Sequence, residues 1–207
     1  ERMLASASLA ISQLEKEMVH LSDTAMEAFR TAYRSFQSKD KSLIGPAQNL
    51  IEQAGGTSQE IVNFLIRLSA QSRLSDERSI SNLHNNVGDI MRIAEIADNF
   101  TKYTARTIEQ NLHFSESVMA ELDAMVGKVD DLYQLLKQFM LSREKELLPR
   151  IDQVEEEVDA FRKKLIDSHI KRLNSGECRP ESSGVFINLV SNLERLGDHL
   201  TYIAHME

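Results

Sequence analysis

The chain has 207 residues and a formal net charge of −8, with 42% hydrophobic and 27% charged side chains. That length is enough to bury a sizeable core, and the balance is that of an ordinary globular protein. The acidic excess argues against a nucleic-acid groove, which needs clustered Lys and Arg, and no apolar run approaches the ~18 residues of a membrane span. Cys178 is the only cysteine, which excludes an intramolecular disulfide and a Cys-based zinc site. Three Pro, eight Gly, no Trp and few β-branched runs leave little material for strands. The chain opens on Glu1 rather than Met, which suggests a region of a longer protein.

Six helices are expected. The first runs from about Leu4 to Gln37, with Leu14, Met18, Leu21, Ala25 and Phe29 three or four apart on one face. "KSLIGPAQ" punctuates, and a second helix carries Ile61, Leu65 and Leu68. "AGG" at 54–56 is expected to weaken or kink it, since Gly costs about 1 kcal/mol relative to Ala in a helix. A third helix starts near Ser75, where Ser75, Asp76 and Glu77 supply N-terminal capping chemistry, and continues to about Gln110. The fourth opens at Ser115 and reaches about Ser142.

The fifth helix is the most regular. Leu147, Ile151, Val154, Val158, Phe161 and Leu165 alternate steps of four and three, a coiled-coil-like seam. It should stop at "NSGECRP", where Gly176 suits a helix end and Pro180 forces Arg179 into extended backbone. The sixth then runs from about Glu181 to the end. Long helices joined by short connections imply antiparallel neighbours, so the fold class is all-α, a helical bundle.

The order repeats. "EKEMVHLSDTAMEAF" lies on "ELDAMVGKVDDLYQLL" with Met18 over Met125, and "GDIMRIAEIADNFT" lies on "SNLERLGDHLTYIA" with Arg92 over Arg195 and Glu95 over Asp198. Two tandem three-helix bundles follow, with a pseudo-two-fold repeat, over residues 1–113 and 114–207. In the last helix Glu194 and Asp198 are four apart, so the two carboxylates stack one turn above the other on a single face. Such pairs occur both as solvated surface and as cation sites, and the spacing leaves both open.

"LERLGDH" followed by "IA" resembles the E-R-x-G-D-H/Y…N-I-A signature of the PhoU family, whose members are two pseudo-repeats of a three-helix bundle. The likeness is strong in the second repeat and degenerate in the first, where Met91 stands at the position of an expected Glu. Free-standing members carry an "LxxPVAxDLR"-like stretch before the third helix, and this chain has "RLSDERSISNLHNN" instead. With "HIKRLNSGECRPESSGVFINLVSNLERLGDH", that departure is more similar to the cytoplasmic C-terminal PhoU-like region of bacterial sodium/phosphate cotransporters. The resemblance therefore implies a regulatory domain on the cytoplasmic face of the membrane, active in phosphate transport and partnered by the membrane-spanning region of the same protein. A stand-alone regulator of phosphate-uptake signalling and a purely structural bundle are the alternatives, and a homo-oligomer stays open.

The resemblance also implies divalent or iron-type metal ions on surface carboxylates, through two acidic pairs: Glu155 with Asp159, and Glu194 with Asp198. Glu95 is a weaker candidate, because Met91 removes a ligand from the first repeat, and His199 is weaker because a His among polar neighbours is more often a solvated or hydrogen-bonded side chain. Arg195 and Arg92 are expected to pair with neighbouring carboxylates or to contact a partner. The sequence contains no H-E-x-x-H, no G-x-S-x-G and no G-x-x-x-x-G-K-[ST], so neither these enzyme classes nor a P-loop nucleotide site is indicated. The eight Met are spread singly along apolar stripes as core filler.

Overall fold

The stripe Leu14–Met18–Leu21–Ala25–Phe29 is buried in the computed structural model, which describes residues 2–71 and 74–206. Six helices follow from such stripes: α1 (Arg2–Gln37), α2 (Ile44–Gln71), α3 (Leu74–Glu109), α4 (Glu116–Ser142), α5 (Leu148–Asn174) and α6 (Pro180–His205). There is no strand among the described residues. α1 packs on α2 and α3, and α4 packs on α5 and α6. The halves join where α3 meets α6 and α1 meets α4, and the buried apolar residues form one continuous core.

The ends have local causes. The Ser115 hydroxyl accepts from the Val118 amide at 3.2 Å and caps α4. Gly176 has φ of +77°, a conformation glycine adopts without steric cost, and it turns the chain after α5. Arg179 is extended ahead of Pro180, which opens α6. α3 begins at Leu74, beside the expected start near Ser75; residues 72–73 lie outside the described region.

The glycines at 55–56 do not break the helix: α2 is continuous from Ile44 to Gln71. Ala54 is fully buried, and the Ser58 hydroxyl bonds the Gly55 carbonyl at 2.8 Å. Packing outweighs the weak propensity of two glycines. Pro46 lies in the first turn, where its missing N–H removes no helical bond.

Both halves share a motif that the helical stripes do not reveal. After the first helix of each comes a residue with positive φ, Lys39 or Arg143, then a short 3₁₀ turn, Lys41–Leu43 or Lys145–Leu147, then a helix with Pro46 or Pro149 in its first turn. α3 and α6 repeat their burial in the sequence-derived register: Ile90 with Leu193, Ile93 with Leu196, Ala97 with Leu200, Phe100 with Ile203. Burial in α1 and α4 fits the Met18-over-Met125 register, which sets Ala25 over Leu132 and Phe29 over Leu136, and also a second one, in which Ala25, Phe29, Ala32, Tyr33 and Phe36 correspond to Met125, Val129, Leu132, Tyr133 and Leu136. The difference is seven residues, about two helical turns, so the apolar stripe looks alike in either register.

Candidate metal centre

The second-half acidic pairs lie on α5 and α6, the one pair of helices in that half that carries them on facing flanks. Val154 and Val158 are buried, which puts Glu155 and Asp159 at the edge of the α5 core face. On α6, Gly197 is buried against this edge. A Cβ built there would stand 3.4 Å from Val158 Cγ1 and 3.7 Å from Leu132 Cδ2. This close approach brings Asp198, the next residue, to the α5 carboxylates.

Glu155, Asp159 and Asp198 each offer an oxygen, and these oxygens lie within 4.8 Å of one another. Glu155 and Asp198 are half-buried and Asp159 is exposed. Burial, then the charges of Asp159 and Asp198, raise the Glu155 carboxyl above its usual range. Asp198 is raised too, first by burial and then by Asp159, while His199 and Arg162 pull it down. A hydrogen bond between the two raises Glu155 and lowers Asp198.

Glu194 does not join the three as an equal fourth. Arg162 on α5 donates through Nε to its carboxylate at 2.7 Å. Even so, burial raises Glu194, and Asp198 and Asp159 add to that against the pull of Arg162. Arg162 is a residue that sequence reasoning missed. It follows Asp159 by three positions, which places it one turn along the same face.

His199 is not directed at the cluster. Its Nδ1 is 2.9 Å from Asp89 Oδ1, a contact that ties α6 to α3. Arg195 is exposed and makes no hydrogen bond or ion pair among the described residues, so it is not the partner of a neighbouring carboxylate. Arg92 does pair, to Glu95 at 2.8 Å on the same exposed face. With Glu95 held by Arg92, Asp98 held by Lys102 at 3.0 Å and Met91 packed against the core, the first half gathers no carboxylate cluster among the described residues. Asn99 instead reaches across to Asn192, which also donates to Tyr103.

The oxygen-only donor set of Glu155, Asp159 and Asp198 fits hard cations such as Ca²⁺, Mg²⁺, Mn²⁺ or iron, and does not fit a soft-metal site.

A sequence model of the PhoU domain matches residues 122–206, a span that holds all four of these carboxylates and "LERLGDH". No curated protein matches the chain. The fold is similar to that of the phosphate transport system regulatory protein PhoU from Streptococcus pneumoniae, with a TM-score of 0.85 and 18% identity over 97% of this chain and 94% of that one. PhoU from Pseudomonas aeruginosa matches with a TM-score of 0.85 and 18% identity, over 96% of this chain and 95% of its own. Residues 122–206 thus resemble the PhoU domain, within a six-helix fold similar to that of two PhoU proteins.

Proposed function

We propose that this protein is a PhoU-type regulator of phosphate transport, acting by binding rather than by catalysis. The observation that carries the reading is the PhoU-domain match over α4 to α6, within a fold that aligns over nearly the full length of two PhoU chains. Deleting its gene and following uptake of radiolabelled phosphate tests it. Uptake that no longer falls when external phosphate is plentiful is expected. Unchanged uptake and unchanged phosphate response would overturn the proposal.

The length of the likeness favours a stand-alone regulator that docks on transport components through its helix faces. A second reading, a cytoplasmic domain of a sodium-dependent phosphate cotransporter, draws on "RLSDERSISNLHNN" ahead of and within α3 and on the stretch around "NSGECRP". In that case the membrane-spanning region of the same protein is the partner. Fractionating cells separates the two: a soluble chain of about this size supports the first, and a longer chain in the membrane fraction supports the second.

In either form, Glu155, Asp159 and Asp198 hold a hard cation, with Glu194 and Arg162 beside it. Clustered carboxylates repel one another, and a cation relieves that repulsion while clamping α5 to α6. The exposed Arg195, one turn from Asp198 on α6, is the nearby cation left for a partner carboxylate.

A further inference from the structure

A second site lies at the other end of α5. Where the α3–α4 connection meets α5 and α6, the fold encloses a cavity of about 210 Å³. Its wall carries Arg172 and His169 from α5, Arg179 from the start of α6 and His113 from the connection, against a single acid, Glu177. That volume is below the about 300–1,000 Å³ of pockets for drug-sized ligands, so it suits an ion or a single small anionic group.

Arg172 is incompletely satisfied. Its Nε and Nη2 are buried and make no hydrogen bond. Its ion-pair partner Glu121 on α4 stands 3.6 Å away, with its own Oε2 also buried and unbonded. Buried guanidinium donors are costly to leave unmade; these two face Glu121, which is not part of the cavity wall, so an anion meets the fork only by displacing that carboxylate. The fork is also held in place. Arg172 Cζ lies 5.8 Å over the Phe186 ring, Phe186 stacks on His169 with centroids 4.5 Å apart, and His169 Nε2 is 2.7 Å from Ser183 Oγ. The cavity wall further includes Ser115 and Arg179, the N-terminal cap residues of α4 and α6, where helix amides add positive potential.

We propose that this cavity binds a small oxyanion of the phosphate class, with Arg172 as its anchor, Arg179 as the second cation and Glu121 as the internal carboxylate that the anion displaces. The inference stands on the cavity and does not depend on the regulatory role proposed above.

Two readouts on the whole protein test it. Titration calorimetry with inorganic phosphate at fixed ionic strength should show saturable binding of one ion per chain. Cys178, the only cysteine, lines the same cavity, so phosphate should slow its alkylation by iodoacetamide several-fold. Arg172→Gln should weaken binding about tenfold or more, as expected for loss of a charge-assisted pair. Glu121→Gln should tighten binding, because it frees the guanidinium. No saturable binding, equal protection by chloride at the same ionic strength, or equal affinity in folded Arg172→Gln overturns the proposal. If Arg172→Gln does not fold, Glu121→Gln decides alone, and unchanged or weaker affinity there overturns it.

Discussion

Tyr33 on α1 donates its hydroxyl to Asp123 on α4, across the seam between the two halves. The same bond recurs with the roles exchanged, since Tyr133 on α4 donates to Asp23 on α1. Between the two, Arg30 pairs with Asp130, Nε to Oδ1 at 2.9 Å. Tyr33 and Tyr133, like Asp23 and Asp123, are one hundred positions apart, so the seam is a pseudo-two-fold crossing of two antiparallel helices. Burial and the adjacent carboxylate push both phenols far above the usual tyrosine range, which keeps them as donors at any ordinary pH.

Tyr33→Phe and Tyr133→Phe should each destabilise the protein by about 1 kcal/mol, the usual net worth of one hydrogen bond. The cost stays modest because Asp123 keeps Gln37 at 2.9 Å and Asp23 keeps Lys137 at 2.9 Å. Urea unfolding of the two single variants and the double variant measures it. Equal single effects are expected from the symmetry, and a loss above about 3 kcal/mol at one site alone would contradict it.

Elemental analysis and cation titration should rank the carboxylates. Glu155→Gln and Asp198→Asn remove ligand oxygens and should abolish tight binding. Glu194→Gln and Arg162→Ala alter only the neighbouring pair and should weaken it by about tenfold, the lower end for groups around a metal's ligands. Glu95→Gln should change nothing, because Glu95 is occupied by Arg92. A Glu194→Gln effect as large as that of Asp198→Asn would place Glu194 among the ligands.

Without a cation, the cluster should make stability fall as pH rises. Glu155, Glu194 and Asp198 all have folded-state pKa values above their ordinary ones. The folded state therefore holds more protons than the unfolded one between the ordinary and the raised values. The stability they contribute is fully present below the ordinary carboxylate range and is lost as pH rises through the raised values. Glu155→Gln should flatten this slope and stabilise the cation-free protein at pH 7. Chemical denaturation of wild type and variant across pH 4–7 in chelator measures it, and identical slopes would refute the account.

Gly197 should accept Ala and reject larger side chains. An added Cβ meets Val158 at 3.4 Å, an ordinary contact, and Ala is favoured over Gly inside a helix by up to about 1 kcal/mol. Gly197→Ala should therefore be neutral or stabilising by that amount. Gly197→Val adds branches that α5 and α4 have no room for, at a cost of about 1–3 kcal/mol. Its cation affinity should fall as well, because Asp198 moves off α5. Thermal unfolding and cation titration of both variants check this.

Helix number, order and the second-half acidic pairs were legible in the sequence because each depends on spacing along one helix. Val154, Val158, Leu193 and Leu196 are all buried where a period near 3.6 puts them. The spacing also put Glu155 above Asp159 and Glu194 above Asp198. The sequence did not determine which carboxylates meet, because that depends on how closely α6 approaches α5 at Gly197 and on Arg162 reaching Glu194 first. Nor did it determine the α1–α4 register, since a shift of two turns leaves an apolar stripe unchanged and only the reciprocal tyrosine bonds distinguish the two. His199 on Asp89 and the cavity at Arg172 were equally out of reach: each joins residues from different helices, and no period within a single helix records a contact between two.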